Sequence, residues 1–167
     1  MSLPARPQRS RAANVRANDE VSPLDKRIIE HLQADGRRPF TQIAAELGVS
    51  EAAVRTRTNR LIERGILQVV GVTDPLKLGF HQMAMIGIRC ESSKLIEVAE
   101  HLAEMPEVDY VVITAGSYDL LIETVCEDND ALLTFLADRL RAIDGVRDTE
   151  TFVYLRLVKQ TYQYGTR

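Results

Sequence analysis

The side chains best suited to recognition chemistry lie in SEAAVRTRTNRLIER, residues 50–64, where polar and basic types fill one side of an apolar period of 3.6. If that run is a helix, Ser50, Glu51, Ala52, Arg55 and Thr56 occupy its first turns. From there they can meet base edges, because Arg pairs bidentately with guanine and Thr or Ala meets a thymine methyl. Asn59 shares the outward face. Arg57, Arg60 and Arg64, with Arg37 and Arg38 upstream, are the types that neutralise phosphates. The bland alternative is a tri-helical module for protein contacts whose Arg residues are merely solvated.

Catalysis finds no comparable set. His31, His81 and His101 fall on three different elements, with no nucleophile or carboxylate at a motif spacing. No P-loop, nucleotide-binding glycine fingerprint, GxSxG or HExxH occurs, so the chain reads as a non-enzyme. Cys90 and Cys126 sit in apolar stretches without zinc spacing, which makes them buried thiols and leaves no metal site or cofactor to expect. Apolar runs are far shorter than the ~18 residues a membrane span needs. The N-terminus is basic but lacks the apolar core of a signal peptide, so the expected location is the cytoplasm.

The elements that position these residues can be read from spacing. The net charge of −3 over 167 residues divides unevenly, with +2 on residues 1–20, +2 on 21–70 and −7 on 71–167. A basic front and an acidic back imply two units, the front one meeting a polyanion. Residues 1–21 are rich in Arg, Ala, Pro and Ser and read as a mobile basic arm, either a plain leader or a strand of chain touching DNA. Ser22-Pro23 opens a helix with Leu24, Ile28, Ile29 and Leu32 on one stripe, ending near Asp35-Gly36 with Gly36 as a left-handed cap. A second helix spans Thr41–Leu47 and presents Ile43, Ala44 and Leu47. After Gly48-Val49-Ser50 a third turns Val54, Leu61 and Ile62 inward and stops at Gly65. That is a helix-turn-helix, and residues 66–70 can pair as a small wing, completing a winged domain over 22–70.

Past a linker at 71–79 the period changes to 2. A strand at Phe80–Glu91 leads to a helix at Ser93–Met105 with Leu95, Ile96, Val98, Ala99 and Leu102 inward. Strands at Val108–Thr114 and Tyr118–Cys126 flank a turn at Ala115-Gly116-Ser117. A helix capped by Asp128 or Asn129 buries Leu132, Leu133, Leu136, Leu140 and Ile143 and ends at Gly145, before a last strand at Arg147–Lys159. The order βαββαβ over 80–162, followed by a tail at 163–167, is the ferredoxin-like unit, and the fold class is α+β. Helices cover one sheet face only, yet the strands are apolar on both: Tyr110 and Val112 oppose Val111 and Ile113, and Phe152 and Tyr154 oppose Val153 and Leu155. A second copy packing sheet against sheet would cover the open face.

The block LDKRIIEHLQADGRRPFTQIAAELGVSEAAVRTRTNRLIERGIL, followed by a βαββαβ unit containing AGSYDLLIE, closely resembles the Lrp/AsnC family of leucine- and asparagine-responsive transcriptional regulators. The likeness runs from Ser22 to Tyr162. Its most specific parts are Leu24-Asp25, the LGVS turn, the RxxRLIERGI helix end and the G-x-Y-D hairpin. The resemblance implies that the winged helix binds double-stranded DNA and the C-terminal domain binds a small effector, usually an amino acid. It also implies a homodimer assembling to a tetramer or octamer. By matching motif, Gly116, Ser117, Tyr118 and Asp119 would line the effector site, with Thr151 from the last strand. Backbone N–H groups at the Gly turn suit a carboxylate and Asp119 an ammonium. The same four residues also read as a plain hairpin whose Gly supplies positive φ and whose Asp fixes the turn. Two features depart from the family pattern: the basic arm, and Thr58 where an aliphatic residue is commonest. An architectural DNA-coating protein without effector is the alternative function, and a regulatory subunit of a metabolic enzyme a more distant one.

Overall fold

The computed structural model describes residues 21–161, 165 and 166, so all but Val21 of the arm expected over residues 1–21 and most of the expected tail lie outside the described residues, and Val21 itself packs against the helical core. Two compact units emerge. One runs to Gly71 and takes in the segment from Gln160, and the other spans Val72–Lys159. The terminal segment therefore groups with the helical unit, where Thr166 Oγ1 donates to Glu30.

In the helical unit, Ser22 and Asp25 form a capping box: the Ser22 hydroxyl accepts from Asp25 N–H, and the Asp25 carboxylate accepts from Ser22 N–H. With Pro23 pre-set at the first position, this launches α1 (Pro23–Ala34). α2 (Phe40–Leu47) ends where Gly48 takes φ 68, a left-handed backbone that side chains disfavour. Ser50 then caps α3 (Glu51–Glu63) by accepting from Ala53 N–H at 3.2 Å. Ile28, Ile43, Val54 and Leu61 interlock as the core, with Ile29, Leu32, Ala44 and Leu67 around them.

Three expectations fail here. Ile62 is 44% exposed, because one helical step past Leu61 turns it off the inward stripe. Gly36 is not left-handed, since Asp35 in extended conformation ends the helix instead. Residues 66–70 form no strand. The N–H groups of Ile66 and Leu67 both turn back to the Leu61 carbonyl and drop Leu67 into the core, so the segment finds no pairing partner for a wing.

The second unit contains β1 (Gln82–Cys90), a short 3₁₀ turn at Ser92–Lys94, α4 (Leu95–Ala103), β2 (Val108–Ile113) and β3 (Leu120–Cys126). α5 (Asn129–Thr134) follows, capped by Asp128 and continued by a π turn at Phe135–Leu140, before β4 (Val146–Val153). The sheet order is β2-β3-β1-β4 with every pair antiparallel, the ferredoxin-like arrangement. Register sets Ile86 opposite both Ile122 and Thr151. Ala84, Ile86, Ile88, Leu120 and Ile122 face the helices and meet Val98, Leu102, Phe135 and Leu140.

Strict alternation then sends Met83, Met85, Gly87 and Arg89 to the other face, with Leu121 and Glu123 of β3, Tyr110 and Val112 of β2, and Phe152 of β4. Tyr110 and Phe152 are exposed there. Strand ends differ from expectation. β1 starts at Gln82 rather than Phe80, and Tyr118 and Asp119 belong to the turn rather than to β3. β4 stops at Val153 rather than Lys159, because the Tyr154 N–H makes the last bond, to Met83 O, and β1 offers no residues beyond. Ile96 and Leu133 are 58% and 63% exposed. Each stands one helical step past an inward residue, Leu95 and Leu132, and so falls off the buried stripes Leu95, Val98, Ala99, Leu102 and Leu132, Phe135, Leu136, Leu140.

Candidate nucleic-acid interface and effector loop

The Ser50 cap frees the first turns of α3 for solvent, and Ala52, Arg55, Thr56, Asn59 and Arg60 are exposed along one continuous face, with Glu51 half-buried beside them. Arg55 donates to Glu51 Oε1 at 2.5 Å, and its guanidinium lies 5.4 Å from the Phe40 ring centre. Arg57 turns the other way. It donates to Asp25 Oδ1 at 2.9 Å and to the Ser22 hydroxyl at 3.3 Å, tying α3 to the capping box of α1. Burial raises the Asp25 pKa, but the hydrogen bonds from Ser22 and Arg57 and the Arg57 charge outweigh it, so the carboxyl lies below its ordinary value. Between the start of α1 and α3 opens a cleft of about 430 Å³, lined by Asp25, Ala53, Thr56, Arg57, Arg60 and Arg64.

Arg37 and Arg38 stand on the α1–α2 connection. Arg37 is exposed, whereas Arg38 pairs with Glu46 and lies 3.0 Å from His31 Nδ1. The structure thus gathers the α3 residues and Arg60 on one surface and commits Arg38 and Arg57 to partners within the protein. Phe40 and the Asp25 partnership were missed in the sequence. The i, i+4 spacing of Glu51 and Arg55 was a readable signal for their pairing.

In the second unit, the loop from Thr114 to Asp119 is closed by Thr114 N–H donating to Asp119 O at 2.9 Å, with the Thr114 hydroxyl donating to Tyr118 O. β1 holds it from below: Asp119 N–H donates to Ile88 O at 2.9 Å, and Cys90 N–H donates to Asp119 Oδ2 at 2.7 Å. One oxygen of the Asp119 carboxylate is therefore already engaged. Gly116 and Ser117 are exposed at the tip, and Gly116 does not take positive φ, so the hairpin reading of that glycine fails in its detail. Tyr118 folds back over Gly87 on the open sheet face. Thr151 pairs with Ile86 and lies on the helix-facing side, so one protomer does not bring it to Tyr118. Cys90 and Cys126 are buried and unpaired, and burial pushes both thiols up, aided at Cys90 by the Asp119 charge.

Among the described residues no helix is long and apolar enough to cross a membrane, and no group of three or more potential ligands could hold a metal. Residues 22–62 match the AsnC-type helix-turn-helix domain, and residues 83–164 match the Lrp/AsnC ligand binding domain. An HTH-type transcriptional regulator of Pyrococcus furiosus is 39% identical over 140 residues, covering 83% of this chain and 95% of the relative. The structure of AsnC from E. coli superposes with a TM-score of 0.75 at 26% identity, over 84% of this chain and 96% of that one. A transcriptional regulator of Neisseria meningitidis, solved in complex with L-Met, superposes with a TM-score of 0.76 at 23% identity, over 86% and 95% of the two chains.

Proposed function

This chain belongs to the Lrp/AsnC family of transcriptional regulators, and we propose that it reads a specific duplex DNA sequence through α3 while a free amino acid at the 115–119 loop tunes that binding. The family is non-enzymatic, and the chain carries its DNA-binding helix-turn-helix and its ligand-binding domain.

The observation that carries the DNA half of the reading is the uninterrupted exposed face of Ala52, Arg55, Thr56 and Asn59 directly after a satisfied Ser50 cap. Those residues, with Glu51, enter the major groove, while Arg60 and Arg37 meet phosphates. Arg38 and Arg57, held by Glu46 and Asp25, set the helices rather than the register on DNA. For the effector half, the exposed backbone at Gly116 and Ser117 suits a carboxylate, Tyr118 walls the site, and Asp119 fixes the loop with one oxygen and offers the other to an ammonium. The Neisseria meningitidis relative with L-Met supports an amino acid as the ligand class. Thr151, on the far face of the sheet, is left out of the loop's own site. A second copy covers the open sheet face around Tyr110 and Phe152, giving a cytoplasmic homodimer from which tetramers or octamers grow.

The test pairs two measurements on the purified chain. Its own upstream region should outcompete random duplex by ~10³ or more. In a thermal-shift panel of the twenty amino acids at millimolar concentration, one chemical class should add roughly 2.7 kcal/mol at ~100 times its Kd. Equal competition by random duplex together with a flat panel would instead establish the architectural alternative.

A further inference from the structure

Gly87 sits in the middle of β1, where a residue without a side chain weakens a strand and needs a reason. Its neighbours Ile86 and Ile88 are fully buried toward the helices, so Gly87 faces the open side of the sheet. The reason lies directly above it. A Cβ at Gly87 would stand 2.6 Å from Tyr118 Cγ and 2.7 Å from both Cδ atoms, so the tyrosine ring lies across the bare backbone. Two residues along the same face, the Arg89 guanidinium lies 5.0 Å from the centre of that ring. Its Nε donates to the Ser117 carbonyl at 3.0 Å, and its other end pairs with Asp148, its register partner on β4. Phe152 of β4 meets the ring edge-on, with centroids 6.3 Å apart at 77°.

We propose that Gly87 and Arg89 are positioning residues of the effector loop: Gly87 seats the Tyr118 ring, Arg89 clamps ring and Ser117 carbonyl together, and Asp148 ties that clamp to β4. This rests on the effector reading of residues 115–119. The division of labour within β1 supports it. Ile88 and Cys90 hold the base of the loop at Asp119 through their backbone groups, in bonds that do not involve the Arg89 side chain. Gly87 and Arg89 act on the tip, at Ser117 and Tyr118, where the exposed backbone would meet the ligand. Arg is required because only a planar fork can stack on a ring while donating in its plane, which a lysine ammonium cannot reproduce.

The experiment uses the full chain and the twenty free amino acids as probes in a thermal-shift panel. The amino acid to which the wild type responds is then titrated into Arg89→Lys, Gly87→Ala, Tyr118→Ala and the Gly87→Ala/Tyr118→Ala pair. Arg89→Lys should raise the half-saturating concentration by about tenfold or more, while the shift at saturation keeps its size. Gly87→Ala and Tyr118→Ala should each weaken the response, and the pair no more than either alone, because both remove one contact. A wild-type response with unchanged half-saturation in both Arg89→Lys and Gly87→Ala would overturn this inference and leave the effector reading standing. So would a lowered melting temperature of ligand-free Arg89→Lys with unchanged half-saturation, the mark of a purely structural residue. A flat wild-type panel would overturn the effector reading and this inference with it. Should Gly87→Ala fail to fold, Arg89→Lys decides alone.

Discussion

The guanidinium of Arg57 on α3 donates to the carboxylate of Asp25 on α1 at 2.9 Å, and the same carboxylate caps α1 by accepting from the Ser22 backbone. One acidic side chain therefore both starts the first helix and fixes the azimuth of the helix that would enter the major groove. An arginine that composition alone assigns to phosphate is spent on orientation.

Replacing Asp25 by Asn should cost about 1 kcal/mol at neutral pH, the scale of a lost capping interaction. The pH dependence has a definite sign. The folded-state pKa of Asp25 is below the ordinary 3.8, because the Ser22 and Arg57 contacts outweigh the opposing effect of burial. Its contribution is therefore complete above the ordinary value and is lost as pH falls through the lower folded value. Urea unfolding should show a gap between wild type and Asp25→Asn at pH 7 that narrows once pH falls below 3.8. A gap that stays constant into acid would rule out the charge pair as its source.

Thr58 is 2% exposed, and its hydroxyl has no hydrogen-bond partner. Burying an unsatisfied hydroxyl costs ~1 to 3 kcal/mol. Thr58→Val keeps the shape and removes the orphan, so it should raise the melting temperature by several degrees in the helical unit. Unchanged or lowered melting would mean the hydroxyl is satisfied in solution.

Gly145 has φ +99, and a Cβ there would come within 2.8 Å of Lys94 Cβ and 3.2 Å of Val98 Cγ2. Backbone strain and overlap act together, so Gly145→Ala should destabilise by about 2 kcal/mol. Calorimetry of the variant checks this. A shift under one degree would show that α4 moves aside at little cost.

The legible part of this chain was what local chemistry decides. Ser22-Pro23, Gly48 and Ser50 mark helix boundaries by caps that depend on neighbouring residues alone, and the period-2 runs marked four strands with the ferredoxin-like order. The misses depend on partners distant in sequence. Ile96 and Leu133 stand one helical step past the inward Leu95 and Leu132, where only the packing partners decide which of two apolar neighbours is buried. The apolar run of the final strand continues past Val153 toward Lys159, whereas pairing ends where β1 begins. Thr151 and Tyr118 shared a motif-based role, yet register separates them to opposite faces. Gly87 was readable in principle as a glycine inside QMAMIGIRC, but only the fold shows which ring lies on it.

The sharpest contrast on the DNA side is between Arg55 and Arg60, one turn and a half apart on the same exposed face. Arg55 is pre-ordered by Glu51 and by the Phe40 ring and sits near the start of α3, where a helix reaches base edges. Arg60 lies farther along the cleft beside Arg64 and suits a phosphate. Arg60→Ala should weaken binding to specific and random duplex alike and lower the salt slope by about 1. Arg55→Ala should cost ~1 to 3 kcal/mol on the specific site and far less on random duplex, relaxing base preference. Binding measured for both variants on both duplexes across a salt series separates the roles. If Arg55→Ala weakens the two duplexes equally, Arg55 is a second phosphate ligand and base reading passes to Ala52, Thr56 and Asn59.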